Sequence, residues 1–109
     1  MTNGRFAVLA LAAAVTPLQG GAAAAKPRQY VVVIDQMKFG PVAAGVRVGD
    51  AIIWVNRDLF RHSVTARDGS FDLDLAPGKS GETIIRKAGM IAFACKYHPR
   101  MTGIIKVAQ

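Results

Sequence analysis

The sequence predicts an all-β fold, and three observations support the prediction. Short apolar runs rich in Val and Ile are broken by Gly, Pro and Asp about every ten residues, as in a β-sandwich or barrel. No apolar stripe with the 3.6-residue period of a helix follows residue 25. That part of the chain also has no internal repeat and no low-complexity segment. We therefore expect one sandwich-like domain over residues 26–109.

The expected strands follow one another along the chain, and turn residues separate them. Each combines β-branched or aromatic residues with the two-residue alternation of a half-buried strand. A turn is expected at Gly49 and Asp50, another in the RDGS cluster, and a third at Lys87-Ala88-Gly89. The expected strands lie in residues 30–39, 46–48, 51–56, 62–66, 71–78, 81–86, 90–95 and 102–109.

The first 25 residues read as a cleaved secretory signal peptide. Arg5 supplies a positive charge, an apolar run follows it, and the small residues of GGAAAA precede the expected cleavage after Ala25. Pro17 and Gln19 interrupt the apolar run, which is too short for a membrane span of about 20 residues. We therefore expect export, a mature domain of residues 26–109 and no stable membrane insertion after cleavage.

Cysteine content and charge limit the function further. The chain has a single Cys, so no internal disulfide can stabilise this small domain, and an exported free thiol is open to oxidation unless it is buried or ligated. A bound metal would account for both features. The formal net charge is +7, which favours anionic partners, but the basic residues are scattered singly. Scattered charge and export both argue against nucleic acid binding.

The stretch CKYHPRM concentrates metal-binding side chains. Cys95, His98 and Met101 are each three residues apart, and His62 is the only other histidine. Alternation along GMIAFAC directs Cys95 inward at the end of a strand. One thiolate, two imidazoles and a weak thioether form the ligand set of blue-copper electron-transfer sites.

Three other interpretations of this stretch remain open at this point. A structural zinc site would normally show three or four Cys and His ligands in paired motifs. A Cys–His nucleophile would need an orienting Asn or Asp, and no recognisable motif supplies one. The residues can also be an ordinary core Cys, a surface His and a core Met. A covalent c-type haem is excluded because C-x-x-C-H is absent.

The segment of residues 30–109, which is almost the whole of the expected mature chain, resembles the cupredoxins, and most closely their amicyanin-like short-loop members. The matching segments are DQMKFGP, VRVGDAIIWVNRDLFRHSV, AGMIAFACKYHPRM and TGIIKV. The resemblance implies a Greek-key β-sandwich in the bacterial periplasm that holds one type 1 copper per chain. It implies His62, Cys95 and His98 as equatorial ligands and Met101 as the axial ligand.

Two positions depart from the pattern of these relatives. Ser63 stands where many of them have Asn, whose side chain helps to tie the ligand loops together. Arg61 stands where Pro is frequent and adds a charge beside the site.

The function implied is transfer of single electrons between redox proteins, such as a c-type cytochrome and a dehydrogenase or reductase. The resemblance implies a monomeric carrier, which makes and breaks no substrate bond and is therefore not an enzyme. A copper oxidase would need more histidines than this chain has. Arg61, Lys96 and Arg100 around His98 favour a partner with an acidic docking surface. The alternatives are a periplasmic copper carrier or buffer and a metal-free interaction module.

Overall fold

The computed structural model of the protein describes Gly4 and residues 26–109, so almost all of the expected signal segment lies outside the described residues. Residues 26–109 contain strands but no helix. Accordingly, no described helix is long and apolar enough to cross a membrane. The strands are β1 Gln29–Asp35, β2 Lys38–Phe39, β3 Ala51–Asn56, β4 His62–Ala66, β5 Asp72–Leu75, β6 Ser80–Ile84, β7 Gly89–Ala94 and β8 Thr102–Val107.

The strands form two four-stranded sheets. The first has the order β2-β1-β3-β6 and the second the order β5-β4-β7-β8. β1 and β3 pair in parallel, and the other neighbours are antiparallel. The chain changes sheet after β3, after β5 and after β6, so strands distant in sequence become neighbours. The predicted all-β sandwich is confirmed.

Aromatic side chains from both sheets fill the core. Trp54 of β3 packs edge to face on Phe93 of β7, with ring centroids 5.0 Å apart, and Phe39 contacts the same ring at 4.9 Å. The buried Trp54 indole donates a hydrogen bond to Thr83 Oγ1 at 3.0 Å, so its polar atom is satisfied. Gly103 lies opposite Phe93 in β8, where an added Cβ would approach the ring to 2.3 Å. This core fixes β7, which ends next to Cys95.

Two details of the predicted strands are wrong. Residues 30–39 were expected to form one strand, but the chain reverses at Gln36 and Met37, whose φ angles are 50° and 59°, and returns as β2. Residues 46–48 form no strand, and only an isolated bridge joins Arg47 to Ala108. In both places the apolar pattern did not specify the backbone pairing, because a preference for strand-forming residues does not depend on which strand is the neighbour.

Candidate metal centre

Cys95 follows β7 directly and points into the core. Ile91, Phe93 and Cys95 are all buried, as the alternation predicted. The Cys95 N–H donates to the Met101 carbonyl at 3.0 Å, and the Met101 N–H donates to the His98 carbonyl at 2.8 Å. These two hydrogen bonds close a compact loop between β7 and β8, and the loop carries His98 on its rim.

His62 begins β4 in the same sheet, and its side chain is fully buried. The preceding loop is held by the buried amide of Asn56, which donates to the carbonyls of Phe60 at 2.8 Å and Leu75 at 3.0 Å. The amide oxygen of Asn56 in turn accepts the N–H of Asp58 at 2.9 Å. A fully satisfied buried amide fixes the loop, so the position of His62 is set by the scaffold.

His62, Cys95 and His98 meet at one end of the sandwich. Their potential ligand atoms all lie within 4.8 Å of one another, and they form the one such group found in the described part of the chain. Cys95 Sγ lies 3.9 Å from His62 Nδ1 and 3.6 Å from His98 Nδ1. Metal–nitrogen and metal–sulfur bonds of about 2.0 and 2.3 Å would separate such atoms by roughly 3.5–3.8 Å in tetrahedral or trigonal geometry. The cluster therefore has the dimensions of a single-ion site.

The chemistry of the donor set favours a soft metal. Burial raises the pKa of the Cys95 thiol. The hydrogen bond that the Ser63 N–H donates to the sulfur acts in the opposite direction, and the pKa of the thiol is lowered to about 6. The sulfur is therefore readily available as a thiolate at neutral pH, which is the form that binds metal. Thiolate and imidazole together suit copper.

A family comparison agrees with this geometry. The sequence profile of the cupredoxin-like domain matches residues 6–107. The chain belongs to the cupredoxin-like family. No curated protein matches it. In this fold, a His–Cys–His cluster at one end of the sandwich suggests a copper site.

Solved cupredoxin structures are similar to this chain. The Cu(I) form of an amicyanin variant, with one methionine replaced by alanine, is 28% identical, with a TM-score of 0.65 over 73% of this chain and 82% of the amicyanin chain. Amicyanin from Paracoccus versutus is 23% identical, with a TM-score of 0.65 over 73% and 81%. A purple cupredoxin from Nitrosopumilus maritimus is 20% identical, with a TM-score of 0.64 over 72% and 99%. The last two support the fold alone.

Ser63 ties the two ligand-bearing segments of this cupredoxin together. Its backbone N–H donates to Cys95 Sγ at 3.3 Å, and its hydroxyl accepts the Lys96 N–H at 2.7 Å. The hydroxyl also hydrogen-bonds Thr65, which in turn donates to Asp72 at 2.8 Å. Ser63 thus links the two loops, the role that Asn has in many relatives. The link between the loops is therefore kept at this position.

The basic residues around the site are mostly paired with strand β5. Arg61 contacts Asp74 and Lys96 contacts Asp72, each at 2.6 Å. Tyr97 donates its hydroxyl hydrogen to Asp74 as well. Because alternate residues of β5 point outward, its two aspartates hold the loop after Cys95 and the loop before His62.

The predicted site residues are distributed as follows. The structure brings together His62, Cys95 and His98, and Met101 lies buried in the same loop. Their assignment as metal ligands stays a prediction. Sequence analysis missed Asp58, whose carboxylate contacts His62 Nε2 at 2.8 Å. An acidic residue four positions before a candidate histidine ligand was the available signal, because ligating histidines usually donate their second N–H to a carboxylate or carbonyl.

Proposed function

We propose that this protein is a periplasmic blue-copper carrier that passes single electrons between redox proteins, without acting as an enzyme. The observation that carries the proposal is the convergence of His62, Cys95 and His98 within 4.8 Å in a cupredoxin-like fold. Periplasmic location is proposed from the signal-like composition of residues 1–25. The ligands proposed for one copper per chain are these three residues and Met101.

The residues around the proposed copper site hold its ligands in place and shield them from water. Copper, when bound, supplies a one-electron couple between Cu(II) and Cu(I). Cys95 and His62 are held by buried strand ends and by the hydrogen bonds of Ser63 and Asn56, so they need not move when the charge changes. A site that needs little rearrangement on a change of charge suits electron transfer.

The point of electron exit is proposed at His98. Cys95 and His62 are buried, whereas His98 is half-buried and reaches the surface. Phe60 packs edge to face on the His98 ring with centroids 6.4 Å apart, and the exposed Leu59 and Tyr97 extend this apolar surface. A monomer that docks its partner transiently over such a surface fits this function.

The test is a visible spectrum of the purified protein with one equivalent of Cu(II), followed by ascorbate and then by an oxidised c-type cytochrome. We expect an intense blue colour that ascorbate bleaches and the cytochrome restores. The alternative function, copper delivery, would give tight Cu(I) binding with no stable Cu(II) form. The burial of Cys95 and His62 favours retention of the metal over its release.

Met101 is the weakest of the proposed ligands and carries a prediction of its own. Met101→Leu keeps the volume and burial of the side chain but removes the thioether, which stabilises Cu(II) more than Cu(I). We expect the blue band to persist and the reduction potential to rise. A relative loss of Cu(II) affinity of about tenfold corresponds to about 59 mV for one electron. Voltammetry measures this, and an unchanged potential would identify another axial group.

The charge of the docking surface carries a second prediction. Arg61 and Lys96 are neutralised by ion pairs, and Arg100 forms none among the described residues, so steering of an acidic partner should depend chiefly on Arg100. Arg100→Gln should slow reduction of an anionic partner by about two- to threefold at low salt, with the difference disappearing at high salt. Stopped-flow rates at both salt concentrations measure the effect.

A matched control removes an ion pair and leaves the net charge unchanged. The double variant Lys96→Gln/Asp72→Asn should keep the wild-type salt dependence, because the two charges lie 2.6 Å apart and cancel at a distance. If Arg100→Gln behaves like this double variant, the proposed acidic partner surface is wrong.

A further inference from the structure

Asp58 occupies the outer side of the His62 ring and has no role in the function proposed above. Its Oδ2 atom lies 2.8 Å from His62 Nε2, while His62 Nδ1 faces Cys95 Sγ at 3.9 Å. An ionised carboxylate only accepts hydrogen bonds, so Nε2 carries the hydrogen, and in the neutral ring Nδ1 then keeps its lone pair. The contact therefore selects the tautomer in which His62 can bind a metal through Nδ1.

The Asp58 carboxylate is itself immobilised by the backbone. Oδ2 also accepts the N–H of Met37 at 2.9 Å, and Oδ1 accepts the N–H of Leu59 at 3.2 Å. Met37 lies in the reversal between β1 and β2 and has a φ of 59°. The turn of one sheet thereby orients an anion against a buried histidine of the other sheet.

The second histidine of the cluster has no comparable support. His98 Nδ1 faces Cys95 Sγ at 3.6 Å, but Nε2 of His98 makes no hydrogen bond within residues 26–109. The side chain of His62 is fully buried and that of Asp58 is 11% exposed, so their contact is largely shielded from water. Only one of the two imidazoles is therefore paired with a fixed negative charge.

We infer that Asp58 is a positioning residue that holds His62 with Nδ1 toward Cys95 and, by its negative charge, favours Cu(II) over Cu(I). The inference rests on the proposed function, because it assigns a role to Asp58 in tuning that same site. Asp58 touches neither the metal nor a partner and acts through His62.

The direction of the effect follows from charge. An anion attracts a doubly charged ion more strongly than a singly charged one, and poor access of water keeps this attraction from being fully screened. A carboxylate that accepts the second N–H of a ligating histidine also makes that histidine a stronger donor. Both effects stabilise the oxidised site, so the charge of Asp58 lowers the reduction potential.

The test compares Asp58→Asn, Asp58→Ala and Glu82→Gln with the wild type. Asp58→Asn keeps the size and an accepting oxygen but removes the charge, and Asp58→Ala removes both. Glu82→Gln is the matched control, because Glu82 is exposed on β6 and is not part of the cluster, and the substitution changes the net charge by the same amount. Circular dichroism of each metal-free variant checks the fold.

Two measurements separate charge from positioning. Voltammetry of the copper-loaded proteins should show a higher potential for Asp58→Asn. A ten- to hundredfold loss of Cu(II) affinity relative to Cu(I), the range typical of outer-shell partners, corresponds to about 60–120 mV. Nitrogen-15 NMR of the metal-free wild type should show a slowly exchanging hydrogen on His62 Nε2. This signal should persist in Asp58→Asn and in Glu82→Gln and be lost in Asp58→Ala.

The outcomes are distinguishable. If Asp58→Asn has the potential of Glu82→Gln, the charge does not tune the site, and if Asp58→Ala keeps the protected hydrogen, Asp58 does not position His62. Either result overturns the corresponding half of the inference. If Asp58→Ala does not fold, the NMR signal of the wild type and the potentials of the other two variants still decide it. A wild type that shows no blue Cu(II) form would instead refute the proposed function.

Discussion

Replacing Cys95 by serine should abolish the intense red absorption that gives the Cu(II) protein its blue colour. The band arises from transfer of charge from thiolate sulfur to Cu(II), and Cys95 is the only cysteine of the chain. A serine hydroxyl is nearly isosteric, but it stays protonated at neutral pH and is a poor ligand for copper. We therefore expect loss of the band and a large fall in Cu(I) affinity, measured by optical titration and by competition with a Cu(I) chelator.

The control for this variant is the integrity of the fold. Trp54 lies in the core against Phe93, two residues before Cys95, so its fluorescence reports the packing next to the site. Cys95→Ser should keep the emission of a buried Trp while losing the colour. Ser63→Ala provides a matched variant, because it loses the hydroxyl that holds the Lys96 N–H but keeps every proposed ligand. It should retain the blue band, and persistence of the same band in Cys95→Ser would show that the thiolate assignment is wrong.

The position of Cys95 was predictable because it depends on a local rule. Side chains alternate along a strand, so a run of apolar residues in GMIAFAC was enough to orient the cysteine inward. The two sheets were likewise implied by short strands and frequent turn residues. The meeting of His62 with Cys95 was expected from the resemblance and from the shortage of histidines, since spacing alone does not bring together residues 33 positions apart.

The features that sequence analysis missed depend on contacts between strands and loops. The reversal at Gln36 and Met37 carries no Gly, Asn or Asp, the residues that usually adopt positive φ in such turns. The pairing of Lys96 with Asp72 requires the register of β4 against β5, in which Thr65 lies opposite Asp72. A register of this kind follows from packing across the whole sheet, and single residues do not reveal it.

Copper should raise the melting temperature of the protein by a large amount. The domain is small and has no disulfide, so its free energy of unfolding is modest, and a ligand that binds only the native state adds RT ln(1 + [L]/Kd) to it. At a free metal concentration 1,000-fold above the dissociation constant this term is about 4 kcal/mol. For a domain of this size it corresponds to an increase of roughly 15–30 °C.

The positions of the proposed ligands in the sequence determine how large this increase in melting temperature is. Cys95, His98 and Met101 are close in sequence and can bind copper weakly in the unfolded chain, which reduces the increase. Only folding brings His62 to them, so His62→Ala should lose most of the increase while keeping the local motif. Calorimetry with Cu(I) under anaerobic conditions avoids oxidation of the Cys95 thiol once unfolding exposes it. Equal melting temperatures with and without saturating metal would mean that the cluster does not bind copper in the native state.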